Sequence, residues 1–231
     1  RNKLPEHGGE YRGRVDMTID NDDLLNSIRE SLDRVKYISP EDIPNIDLYM
    51  DQVTTFMDSR LQSSARYPGE DKILTKTMIN NYAKNDLLPP PVKKKYSREH
   101  VMLLVFIYYY KGFLSISDIQ TLLKPITEHY FQNGQAYNLE DIYREAFGME
   151  DKMLQSMKAD VEEKFKISQE AFQGAPQEDM DFLHKFAFIC TLGFDVYLKK
   201  LMIEKMIDEL AADRQGKKAH KAEAEQNGKN P

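Results

Sequence analysis

Apolar residues recur every three or four positions along most of this chain, the spacing of helices with one buried face. Leu24, Leu25, Ile28, Leu32 and Val35 predict a first helix over Asn21–Val35. Pro40 and Pro44 punctuate the next stretch. Leu48, Val53, Phe56, Met57 and Leu61 then predict a second helix over Asp47–Gln62. Residues 63–71 contain Ser, Pro and Gly and read as a loop. In the next segment, ILTKTMINNYAKNDLL, Thr75 or Thr77 can cap a helix whose inner face is Met78, Ile79 and Tyr82. Pro89, Pro90 and Pro91 are expected to end it, because proline has no N–H and disfavours helix in the residue before it. Ser97 caps the strongly apolar REHVMLLVFIYYYKGF. Ser115 and Asp118 have capping-box spacing and start a short helix through Leu123, which Pro125 should stop or kink.

Beyond the proline, Ile142, Ala146, Met149, Met153, Leu154, Met157, Val161 and Phe165 predict a helix over Leu139–Phe165. A polar linker occupies 168–177. Phe182, Phe186, Ile189, Gly193, Val196, Ile203, Ile207 and Leu210 keep alternating steps of four and three, broken by Lys200, which is a heptad-like seam. From Arg214 the chain is too polar to pack, and a disordered tail is expected. Residues 1–16 are rich in Gly and charge, lack periodicity and read as a disordered extension ahead of a natural start at Met17. No strand pattern stands out except two or three extended residues after the proline turn. The reading is an all-α protein in four parts: the extension 1–16, N-terminal helices plus a central module over 17–125, a C-terminal helical region over 126–213 serving dimerisation or an effector, and the tail 214–231.

Composition narrows the class. Charged residues make up 30% and hydrophobic ones 41%, a soluble globular profile able to build a core. The most apolar stretch, Phe182 to Leu198, carries His184, Lys185 and Asp195, so it reads as a core helix and not as a membrane span. The single Cys190 cannot form an internal disulfide, which fits a reducing cytoplasmic setting.

The segment from Met78 to Leu123 resembles the DNA-binding domain of MerR-type regulators, a winged helix-turn-helix. The residues that carry the likeness are Tyr82, the turn Leu87-Leu88-Pro89-Pro90-Pro91, the wing end Tyr96-Ser97, and Val101, Leu104, Phe106 and Ile107 in the next helix. Ser115, Ile116, Asp118, Ile119, Leu122 and Leu123 close it. It covers about 50 residues, roughly 74–123. The chain as a whole also resembles an uncharacterised bacterial family of regulator-like proteins. Asn80 and Asn81 stand where such regulators have Arg and Tyr, Asp86 replaces the turn glycine, and the wing is several residues shorter. Asp tolerates the left-handed conformation such a turn needs better than most residues.

Charge agrees with this likeness on separate grounds. The net charge is -6, yet residues 72–111 hold eight basic residues against Asp86 and Glu99, a net of +6 that leaves -12 for the rest. A basic patch on an acidic chain is a footprint for phosphate. The expected recognition helix, Thr75 to Asn85, would lie in the major groove and present Lys76, Thr77, Asn80, Asn81 and Lys84 to base edges, with the basic wing 93–95 on phosphate. Asn can bond adenine bidentately and Lys can reach guanine. Lys93, Lys94, Lys95, Tyr96 and Arg98 complete the candidate DNA-binding set.

Enzyme chemistry finds no anchor in the sequence. His7, His100, His129, His184 and His220 lack metal-ligand spacing, and no glycine-rich phosphate loop or nucleophile elbow occurs, so no cofactor or metal is expected. The eleven Met residues could line an adaptable effector cavity or simply fill gaps in helical cores. The expected function is a DNA-binding transcription regulator that pairs as a homodimer on duplex DNA, with an effector or protein partner left open. The rival reading is a protein-interaction module that uses the same scaffold without reading sequence.

Overall fold

The computed structural model describes residues 21–34 and 37–227. The expected extension 1–16, the start at Met17 and the contribution of Val35 lie outside the described residues. Helix accounts for 71% and strand for 3%, in line with an all-α fold. The elements are α1 (Asn21–Arg34), β1 (Leu48–Tyr49), α2 (Met50–Leu61), α3 (Lys76–Lys84), β2 (Lys95–Tyr96), α4 (Arg98–Tyr110), α5 (Ile116–Tyr130), α6 (Leu139–Gly148), α7 (Glu150–Gln169) and α8 (Met180–Asn227).

The main core is built around α4. Every residue from His100 to Ile107 is buried, so this helix is enclosed on all sides, as a helix apolar round its circumference must be. Val53, Met57 and Leu61 of α2, Ile79 of α3, Ile119 and Leu123 of α5, and Tyr143 of α6 surround it. Ile207 of α8 closes the same core. A polar clasp ties the segment before β1 to α4 and α6. Arg98 donates to the Pro40 carbonyl at 2.7 Å and pairs with Glu140 at 3.0 Å. The Tyr143 hydroxyl donates to the Ile38 carbonyl at 2.6 Å. A second, smaller core joins Val161 and Phe165 of α7 to Phe188 of α8, with Leu25, Ile28 and Leu32 of α1 against it.

Several boundaries differ from the sequence reading. α2 starts at Met50 and not at Asp47, because Leu48 and Tyr49 pair antiparallel with Tyr96 and Lys95. α3, Lys76–Lys84, lies within one residue at each end of the expected 75–85, but the prolines are not what ends it. Its terminator is Asp86 at φ 53, which lets the Leu87 N–H reach the Tyr82 carbonyl at 2.9 Å, the bond pattern of a Schellman cap. Pro125 neither stops α5 nor marks its end; the helix continues to Tyr130. Ile126 and Tyr130, past the proline, pack on the main core, and that burial offsets the missing bond. The helix expected over 139–165 is two helices, meeting at Met149.

The tail expected to be disordered from Arg214 continues α8 to Asn227. Lys, Ala, Glu and Gln are all good helix formers, and Arg214 itself bonds Glu128 of α5 at 2.7 Å. The heptad-like seam splits along α8. Ile203 and Ile207 turn into the main core, while Phe182, Phe186, Ile189, Gly193 and Val196 face outward. α8 meets the second core through Phe188 and Leu192, a different stripe from the seam.

Candidate functional site

Thr75 caps α3 by accepting from the Met78 N–H at 3.1 Å. The inner residues Ile79 and Tyr82 are buried, with Met78 packed beside them. The other side is polar and continuous. Lys76, Thr77, Asn80, Asn81 and Lys84 are all exposed, and at 100° per residue they span an arc of about 140°. This gives the helix one face held by the core and one face open along its length.

Beyond the prolines the chain makes a two-residue hairpin. Val92 and Lys95 exchange both backbone bonds, at 3.1 and 2.9 Å. Lys93 and Lys94 form its tip with φ of 51 and 65. Positive φ at both central residues defines the type I′ turn, whose twist matches the flanking strands and which favours Asn-Gly. Lysine at such a position brings its Cβ against the following carbonyl. Both lysines are exposed.

α3 and the hairpin are brought together at the start of α2. Lys76 pairs with Asp51, and the Lys95 ammonium lies over the Tyr49 ring, 5.2 Å from its centroid. Tyr49 and Lys95 are cross-strand partners, so this contact arises from the register of β1 and β2. Tyr49 and Asp51 are absent from the sequence-derived candidates. The alternation of Ile46, Leu48 and Met50 with polar or exposed residues is the signal that an extended segment precedes α2.

Two sequence candidates are drawn away from the open face, Tyr96 into the core and Arg98 into a half-buried ion pair. Tyr96 is only 3% exposed and its ring packs edge-on to His100, at 5.6 Å between centroids. Burial raises its pKa. Arg98 is engaged by Pro40 and Glu140 in the clasp. Lys111, counted in the basic patch, is also turned inward. It donates to the Ile73 carbonyl at 2.6 Å, and burial lowers its pKa. The exposed basic face is therefore smaller than the sequence count, and it concentrates on α3 and the hairpin tip.

His100 locks the hairpin to the helices behind it. Its Nδ1 accepts from the Ser97 N–H at 3.0 Å, and Phe131 packs edge-on to the ring at 4.8 Å. Burial lowers its pKa, an effect that the nearby Pro90 and Pro89 carbonyls oppose without forming a well-shaped bond to Nε2. Away from this region, a cavity of about 390 Å³ opens between α1, α4, α6 and α7. Tyr109, Phe147, Met153 and Met157 are among its walls, and no charged side chain among the described residues lines it.

Residues 38–146 match a domain of unknown function, DUF1836. The match begins at the clasp residue Ile38, takes in β1, α2, α3, the hairpin, α4 and α5, and ends within α6. The DUF1836 match thus coincides with most of the main core, and it leaves out α1, α7 and α8. No curated protein and no solved structure matches the chain. Among the described residues, no helix is long and apolar enough to cross a membrane.

Proposed function

We propose that this chain is a DNA-binding transcription regulator of the MerR-like winged helix-turn-helix kind. In this reading α3 is the recognition helix and enters the major groove, α2 precedes it across residues 62–75 in place of the motif's usual short turn, and the hairpin at 92–96 is a minimal wing. Asn80, Asn81, Lys84 and Thr77 face base edges, where Asn suits adenine and Lys suits guanine. Lys93, Lys94 and Lys95 lie along phosphate. Two copies bind a pseudo-palindromic site, the usual arrangement for such modules.

The observation that carries the reading is the hairpin tip. A type I′ turn is most easily made with Asn-Gly, and each lysine held there costs roughly 1–2 kcal/mol in steric strain. Strain at an exposed position points to a use for the side chain. Two adjacent cations, raised on a tight turn beside a polar helix face, match the demand of a phosphate backbone. Lys76 fits the same scheme. Its partner Asp51 is exposed, so the pair is weak and easily exchanged for phosphate.

The test is selection of duplexes from a genomic fragment library by the full chain, and then sequencing. Enrichment of a two-fold symmetric motif is expected. Uniform retention of all fragments, or none, would sink the proposal and favour a protein-interaction scaffold.

A further inference from the structure

We infer that the outward face of the first half of α8 is where a second copy of this chain docks. The inference deepens the two-copy reading above by naming the surface that joins the copies. Three observations carry it.

The first is spacing. Phe182, Phe186, Ile189, Gly193 and Val196 keep steps of four, three, four and three, the period of a seam between two helices. The chain's own α7 does not use that seam. It is met by Phe188 and Leu192, on another side of α8. This half of α8 therefore carries two apolar faces, of which one is covered within the protomer.

The second is area. Phe182, Phe186, Ile189, Phe194, Val196 and Tyr197 are between 47% and 67% exposed. They share an arc of roughly 160° at about 100° per residue. Together they present roughly 750 Å², close to the ~800 Å² per partner of a specific protein complex. That exceeds the ~300–600 Å² of the largest apolar patch on a typical monomer.

The third is charge. The lysines flanking the face are matched within α8 itself: Lys185 pairs with Asp181 at 2.7 Å and Lys199 with Asp195 at 2.8 Å. The face thus has no excess charge to select an acidic or basic partner, or an anionic lipid surface. A neutral seam at heptad spacing is complementary to itself, which is what a two-fold interface requires. Gly193 sits mid-seam with open space above it, so the backbones can approach closely there.

The test is the mass of the full chain in solution without DNA, by light scattering after gel filtration. Twice the 26.9 kDa chain mass is expected at low micromolar concentration. Ile189→Lys combined with Val196→Lys should give a single species at the chain mass with an unchanged helical circular-dichroism spectrum. Both side chains are exposed in the protomer, so folding should survive. Phe182→Glu, near the start of α8, is the second variant and should also shift the mass downward. Met153→Lys, on the exposed side of α7, should leave the pair intact. A wild-type chain at the single-chain mass would overturn the inference. So would a paired Ile189→Lys, Val196→Lys variant that remains helical. A single-chain wild type that co-floats with anionic phospholipid vesicles would overturn it in favour of a membrane surface. Because no DNA is present, a monomer that still selects a DNA motif defeats only this inference, and a dimer that selects none defeats only the DNA-binding proposal.

Discussion

Replacing Lys93-Lys94 by Asn-Gly separates the two roles assigned to the hairpin tip. Both positions have positive φ, at 51 and 65. Glycine at 94 removes its steric cost entirely and asparagine at 93 removes part of it, from a starting strain of roughly 1–2 kcal/mol per residue. The greater freedom of glycine in the unfolded chain returns about 0.5–1 kcal/mol of that gain. The net expectation is a stabilisation of about 1 kcal/mol, which raises Tm by roughly 2–4 °C for a chain of this size. The same change deletes two cations. If both neutralise phosphate, the slope of log affinity against log salt flattens by about 1.8. Differential scanning fluorimetry gives the first quantity, and fluorescence anisotropy of a labelled duplex across a salt series gives the second. Lys93→Ala with Lys94→Ala is the matched control: it should flatten the slope equally without raising Tm, since alanine keeps the clash. A raised Tm with an unchanged slope would refute the phosphate role. A flattened slope with no rise in Tm would refute the strain argument.

Asn80→Ala should change which base is preferred at one position of the selected site, as read by sequencing of bound duplexes, and a uniform loss across all sequences would count against base contact. Arg98→Ala should cost about 2 kcal/mol in urea unfolding, because it breaks a charge-assisted bond to the Pro40 carbonyl and one of Glu140's two ion pairs, the other being to Arg144, while the salt slope of DNA binding stays put. For His100 burial sets the sign: its folded pKa lies below the unfolded value of about 6.5, so the unfolded chain binds more protons in the window beneath that value. Tm should therefore fall as pH drops below about 6.5. In His100→Gln this part of the acid loss should disappear; a wild-type Tm unchanged through that window would count against a buried neutral ring.

The helices are legible in the sequence wherever one face is buried and caps are local. For α3 and α4 the reading is close, because Thr75 and Ser97 announce their starts and Ile79, Tyr82 and the run from Val101 to Ile107 announce their inner sides. The features that escape depend on partners distant in the chain. β1 is two residues long and becomes a strand only by pairing with residues almost fifty positions away. Pro125 misleads because local propensity opposes helix there and tertiary packing overrides it. At the site, the exposed arc of α3 comes from spacing alone. The withdrawal of Tyr96, Arg98 and Lys111 does not, since each is drawn inward by a group from another element. The seam on α8 is visible as a period, but which half of it faces outward is decided by α5 and α7.

Ile207 has a consequence for the order in which the protein can be made. It completes the main core, yet it lies some sixty residues after Leu139 and Tyr143, its companions there from α6. During synthesis from the N-terminus, β1, α2, α3, the hairpin and α4 leave the ribosome well before the side chain that closes their core. The core beneath the part proposed to touch DNA is therefore complete only after more than half of α8 has been translated.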